Sequence, residues 1–167
     1  MEFYGEWVSV VVWRKYIIAP VSLSMALSLF GCSDTKVAQC ERFIKQVNEG
    51  TTLIDKNKGA QVSTSLKLAK ELQDVTKKIR DLNLGDEKLK EYQGKFVKTF
   101  ETLSKNVEIA GKALGSTKKA SASTAGRATI QKAKGDIDTA LKNAAEAAAQ
   151  FDSSVSELNQ YCTKPEE

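Results

Sequence analysis

Three cysteines, Cys32, Cys40 and Cys162, are the most reactive side chains in a 167-residue chain that contains no histidine. A thiol can be alkylated, ligate a metal or be oxidised to a disulfide, and its spacing and surroundings decide among these fates. No Cys-x-x-Cys pair occurs, so neither a redox dithiol nor a zinc clip has its usual geometry. Without imidazole there is no Ser-His-Asp or Cys-His constellation, no Cys₂His₂ finger and no Glu-x-x-His di-iron site. The glycines stand singly, and neither of the glycine-rich patterns that cradle phosphates is present. Glu71, Asp74, Asp81, Glu91, Glu101 and Glu146 alternate with lysines, as on a solvated helix face. The pairs Lys77-Lys78 and Lys118-Lys119 lack the interleaved aromatics that stack bases, and a net charge of +4 is mild. The expectation is a non-enzymatic protein with no cofactor, no metal and no nucleic-acid partner.

The position of Cys32 gives it a different chemistry from the other two. Residues 16–31, YIIAPVSLSMALSLFG, form an uncharged, largely apolar run behind the basic pair Arg14-Lys15. This is the layout of a signal peptide, and sixteen residues fall short of the roughly 20 that a spanning helix needs. The run ends in Leu29-Phe30-Gly31-Cys32 and polar sequence follows at once. Leu three residues before a cysteine and a small residue directly before it resemble the lipobox of bacterial lipoproteins. That resemblance implies cleavage before Cys32, acylation at Cys32 with chains such as palmitate, and an extracytoplasmic chain held on a bacterial membrane by its lipid. Residues 1–13 add two glutamates and a second apolar stretch that a signal peptide does not need, as a start codon placed too far upstream would do.

The elements that position Cys40 and Cys162 must be helical. Both Trp, both Met and Pro20 precede residue 32, and the other proline is Pro165. A body without proline suits a few long helices better than a turn-rich sheet. Four apolar stripes at steps of three and four are legible. Val37, Cys40, Ile44, Val47, Thr51 and Ile54 mark a helix from about 35 to 57 that runs through Gly50. Val62 to Leu82 mark a second, with Gly85 as a left-handed cap and Asp86 as N-cap of the next. The third runs from Leu89 through Tyr92, Phe96, Phe100 and Leu103 to Leu114 and closes at Gly115. After a polar loop over 116–124, a fourth carries Ile130, Ala133, Ile137, Leu141, Ala144, Ala148, Phe151, Val155, Leu158 and Cys162.

Short connections predict an antiparallel up-down-up-down four-helix bundle with coiled-coil-like seams over 37–162. Residues 1–31 would be the signal peptide, 32–36 the lipid anchor and tether, and 163–167 an acidic tail. Such a bundle places the start of helix 1 beside the end of helix 4, so a disulfide between Cys40 and Cys162 is expected, in keeping with an exported chain. The architecture resembles that of small helical-bundle lipoproteins attached to bacterial membrane complexes, including those that accompany photosystem II in cyanobacteria. The function expected is a non-catalytic interaction or structural module, bound to membrane lipid through Cys32 and to a protein partner. A carrier of an apolar small molecule between the helices and a surface adhesion protein are the alternatives. The end of the bundle away from the termini would stand roughly 35 to 45 Å out from the anchor. Lys56, Lys58, Lys118, Lys119 and Arg127 would gather there as a basic tip for an acidic partner.

Overall fold

Three of the four helices start at a residue whose side-chain oxygen takes up a backbone N–H that the first turn leaves unpaired. Thr35 Oγ1 accepts from Ala38 at 3.2 Å, Asp86 Oδ1 from Leu89 at 2.8 Å, and Ser123 Oγ from Gly126 at 3.1 Å. In the computed structural model these caps open α1 (Lys36–Lys56), α3 (Glu87–Thr117) and α4 (Thr124–Thr163), while α2 (Val62–Arg80) begins at Gln61 without a side-chain cap. The structure describes residues 34–57 and 61–165. The leader, Cys32, Lys58, Gly59 and the two terminal glutamates lie outside the described residues. Among the described residues the chain is all-helical, and its packing is that of a four-helix bundle.

Two local expectations are corrected. Gly85 is not left-handed, since no described residue has a positive φ. The end of α2 is capped instead from α3, where Gln93 Nε2 donates to the carbonyls of Ile79 at 2.7 Å, Leu82 at 2.9 Å and Arg80 at 3.2 Å. With those carbonyls satisfied, a left-handed glycine is unnecessary. The third helix also continues through Gly115 to Thr117, leaving only residues 118–123 as the connection to α4.

Helix α3 is the spine, lying against α2 on one side and α4 on the other, with α1 seated over α2 and α3 and touching α4. The α4 face turned inward carries Ala133, Ala140 and Ala147 at a spacing of seven, each almost wholly buried. Small side chains at that repeat let two helices approach closely. Thr99, Asn106 and Ala113 repeat the spacing among the buried residues of α3. Nearer the start of α1 and the end of α4, rings fill the interior: Phe43 meets Phe96 at 5.5 Å, and Phe151 meets both Phe96 and Phe100 at 5.4 Å, all edge to face. These contacts join α1, α3 and α4.

The apolar stripes of the outer helices are rotated from the expected seams. In α1 the buried line runs through Cys40, Phe43, Val47 and Gly50, and Val37 is 44% exposed. In α4, Ile130 and Leu141 are 47% and 52% exposed. For α4 the reason is length. α1 and α2 have 21 and 19 residues against 31 and 40 in α3 and α4, or about 30 Å against about 47 and 60 Å. Nothing in α1 reaches far enough to cover the flank of α4 on which Ile130 and Leu141 lie.

Gly50 is required by this packing. A Cβ there would stand 2.5 Å from Phe100 Cε1, closer still to Cζ, and 3.3 Å from Val75 Cγ1. Gly94 and Gly135 face open space within the same kind of helix. Gly50→Ala should therefore cost about 1–3 kcal/mol by overpacking. Gly94→Ala and Gly135→Ala should each gain about 0.5–1 kcal/mol from helix propensity. Urea unfolding of the three variants checks both signs.

Candidate functional site

At the end where α1 begins and α4 finishes, Cys40 and Cys162 are joined by a disulfide that closes 122 positions of chain. Around it, buried Gln39 binds three separate segments. Its Nε2 donates to the Asp34 carbonyl at 2.6 Å, while its Oε1 accepts from the N–H groups of Gly85 at 2.6 Å and Asp86 at 3.0 Å. Asp34 is also held by Arg42 in a two-pronged ion pair of 2.6 and 2.8 Å. The hydrogen-bonded guanidinium keeps the Asp34 carboxyl below its ordinary range. On α4, the Tyr161 hydroxyl donates to Asp86 Oδ2 at 2.7 Å, and Lys36 Nζ stands 4.2 Å over the Tyr161 ring. Burial alone would raise the Asp86 carboxyl. The Tyr161 hydroxyl, the Leu89 and Lys88 amides and the Lys36 charge outweigh it and lower the value. Tyr161 also packs near Tyr92, with ring centroids 6.1 Å apart. The first residues after Ser33, the α2–α3 connection and the end of α4 are thus tied into one rigid base.

Cys40, Cys162 and the N-cap Asp86 are legible from spacing, whereas Gln39 and Tyr161 are not. No periodicity marks a buried glutamine. Its position beside Cys40 and opposite a six-residue connection was the available signal.

At the other end the geometry is open. Above the last turn of α1 a groove of about 170 Å³ lies between α2, α3 and α4, lined by Leu68, Asn106, Val107, Ala110, Leu141 and Ala144 among others. Asn57, which ends α1 and donates its Nδ2 to Leu53 O at 2.9 Å and to Glu71 Oε2 at 3.4 Å, stands at the foot of this groove. Lys118 and Lys119 follow the end of α3, and Arg127 lies in the first turn of α4. Those three share the tip. Lys56 does not: it precedes Asn57, which lines the groove with Asn106, eleven residues or about 16 Å below Thr117 along α3. Lys58 lies outside the described residues.

Elsewhere the surface offers little chemistry. A larger cleft of about 300 Å³ between α3 and α4 is lined by Lys95, Lys98, Thr99, Gln150, Ser153 and Ser154, a polar set unsuited to an apolar cargo. Asp74, Asp81, Glu91, Glu101 and Glu146 are exposed, and Glu71 is half-buried. Hydrogen bonds from Lys88 and Lys95 hold Glu91 below its usual range in a solvated network. Among the described residues no cluster of acidic or cysteine side chains could hold a metal ion, and no helix is long and apolar enough to cross a membrane. No family model, curated protein or solved structure matches the chain.

Opening the ring by Cys162→Ser should cost up to about 5 kcal/mol in the loop-entropy account, read as a large fall in thermal midpoint that reductant reproduces in the wild type. Asp86 is more acidic folded than unfolded, so the stability it supplies is complete above the ordinary carboxyl value of 3.8. It is lost as pH falls through the lowered value. Asp86→Asn, which retains an N-cap, should therefore be less stable than wild type at pH 7 by about 1 kcal/mol or less, given the partial exposure. The gap should narrow in denaturant curves as pH is taken progressively below 3.8.

Proposed function

We propose that the protein is an extracytoplasmic lipoprotein of a bacterial membrane, acting as a non-catalytic interaction or structural module. The observation that carries this reading is the signal-peptide layout ending in Leu29-Phe30-Gly31-Cys32. Cys32 lies two residues before Asp34, a covalent reach of at most about 7 Å. The grip of Arg42 and Gln39 on Asp34 would transmit an anchor at Cys32 to a stiff base rather than to a loose tether. From such a base, α4 alone gives about 60 Å of reach, more than the helix lengths read from the sequence provide. Two or three acyl chains are enough for stable membrane attachment. A filled aromatic interior and a larger cleft lined by polar groups favour this module over a carrier.

Fractionation of the native host tests the reading. The wild-type protein should sediment with membranes, carry acyl chains on Cys32 by mass spectrometry, and co-purify with a stoichiometric protein after mild solubilisation. Cys32→Ala should accumulate as an unprocessed or mislocalised precursor. Soluble wild-type protein without lipid would overturn the anchor, and lipidated protein that purifies alone under crosslinking would overturn the interaction role.

A further inference from the structure

We infer that the polar cleft between α3 and α4 is a binding site for a neutral sugar unit. The site goes beyond the lipoprotein reading, and its geometry owes nothing to Cys32.

Ser154 carries the inference. The buried polar side chains Gln39, Thr76, Thr99, Ser104 and Asn106 each make a hydrogen bond. Ser154, only 7% exposed, makes none among the described residues. A hydroxyl inside a helix can bond the carbonyl one turn back, as Thr76 does to Leu72 at 2.6 Å and Thr99 to Lys95 at 2.9 Å. Ser154 does not take that outlet, and a buried hydroxyl without a partner is costly and rare. Among the described residues, Gln46 Oε1 is the fully enclosed side-chain oxygen left unpaired, so Ser154 Oγ is not sealed off. It is reached from the cleft that Ser154 lines.

The cleft is preformed. At one end Lys95 on α3 reaches Glu157 on α4 at 3.0 Å, and farther along the pair Asn143 on α4 donates to Asn106 on α3 at 3.4 Å. Phe151 packs on Phe96 and Phe100 between the same two helices, which fixes their separation. Every lining residue, Lys95, Lys98, Thr99, Gln150, Ser153 and Ser154, is described. The space of about 300 Å³ is at the small end of ligand sites and suits a single ring with its substituents.

The lining decides the chemistry. Three hydroxyls, an amide and two ammonium groups surround the space, and no aromatic or aliphatic side chain does. Hydroxyls and an amide both donate and accept, as the hydroxyls of a sugar require. Charge selects neither ion. A cation would meet Lys95 and Lys98 in the lining. An anion would meet Glu91 and Glu157, which pair with Lys95, and Glu146, one turn before Gln150. Hydrogen bonds exchanged with water give little net affinity each, so a single unit would bind weakly. A polysaccharide presenting the unit repeatedly would bind more tightly than the free sugar.

The test is a titration of the full chain, in a detergent without a sugar headgroup, with glucose, galactose and mannose to about 100 mM, far above the millimolar affinity of a few hydrogen bonds. Amide NMR should show Thr99, Gln150, Ser153 and Ser154 shifting with at least one of the three, and the affinity should be unchanged as salt rises. Ser154→Ala should weaken that binding about fivefold or more. Its thermal midpoint should hold or rise, because the lost hydroxyl bonds nothing in the protein and alanine favours the helix. Glucuronate and glucosamine carry a charge on the same ring and should bind no more tightly than glucose. A trisaccharide of the binding sugar separates the two sources: a gain beyond the threefold number of units assigns a polysaccharide, and no such gain assigns the free sugar. Either keeps the site. No shift at these residues with any of the three sugars would overturn the inference. So would binding that survives Ser154→Ala, or a response to glucuronate alone, which would make the cleft an anion site.

Discussion

The unequal length of the helices is the constraint on which the rest of the architecture depends. α3 and α4 run about 47 and 60 Å, whereas α1 stops at Lys56 after about 30 Å. Asn57 fixes that stop by bonding its own helix end and Glu71 of α2. As long as α1 is present the interior holds four helices, and phenylalanines fill it: Phe43, Phe96 and Phe100 are wholly buried. Beyond α1 the remaining helices form a layer one helix thick, and among the described residues one side of its apolar stripe is uncovered. The exposure of Leu141 and Ile130 and the groove beside Val107 are consequences of that single mismatch.

The two ends consequently have opposite physical characters. The base is over-determined, with a covalent bridge, the three-way bonding of Gln39 and the Tyr161 to Asp86 contact all acting on a few residues of chain. The far end has small residues, an uncovered apolar flank and a one-signed charge distribution. Local stability should therefore be high at the base and fall towards the other end. A stiff helix pair between them keeps a fixed separation, because the Ala133, Ala140 and Ala147 stripe packs α4 closely along α3.

Much of the fold was legible in the sequence because helix periodicity, proline placement and short connections all pointed the same way. The four stripes located the helices, and the topology they imposed brought Cys40 to Cys162 as expected. What could not be read was rotation about each helix axis. In α4 the stripe through Ile137, Leu141 and Ala144 and the stripe through Ala133, Ala140 and Ala147 are both apolar, and a hydrophobicity argument prefers the larger side chains. Close approach to α3 selected the smaller ones. Levels along the bundle were equally hidden, because they depend on where two helices cross rather than on either sequence alone. Lys56 therefore read as a tip residue although it stands well below Lys118. Gln39 carried no periodic signal, as a buried polar hub is defined by partners distant in the chain.

The central claim is that the bundle is complete only as far as α1 extends, so that α4 passes from a four-helix core into a half-covered layer. Native-state hydrogen exchange along α4 of the isolated full chain measures this directly, since local opening free energy follows how thoroughly a segment is packed. Amides from Ala147 to Leu158 should exchange only through global unfolding, whereas those from Ile130 to Leu141 should exchange through openings that cost several kcal/mol less. Uniform protection from Ile130 to Leu158 would contradict the account, because it would mean that α4 is packed as thoroughly beyond α1 as beside it.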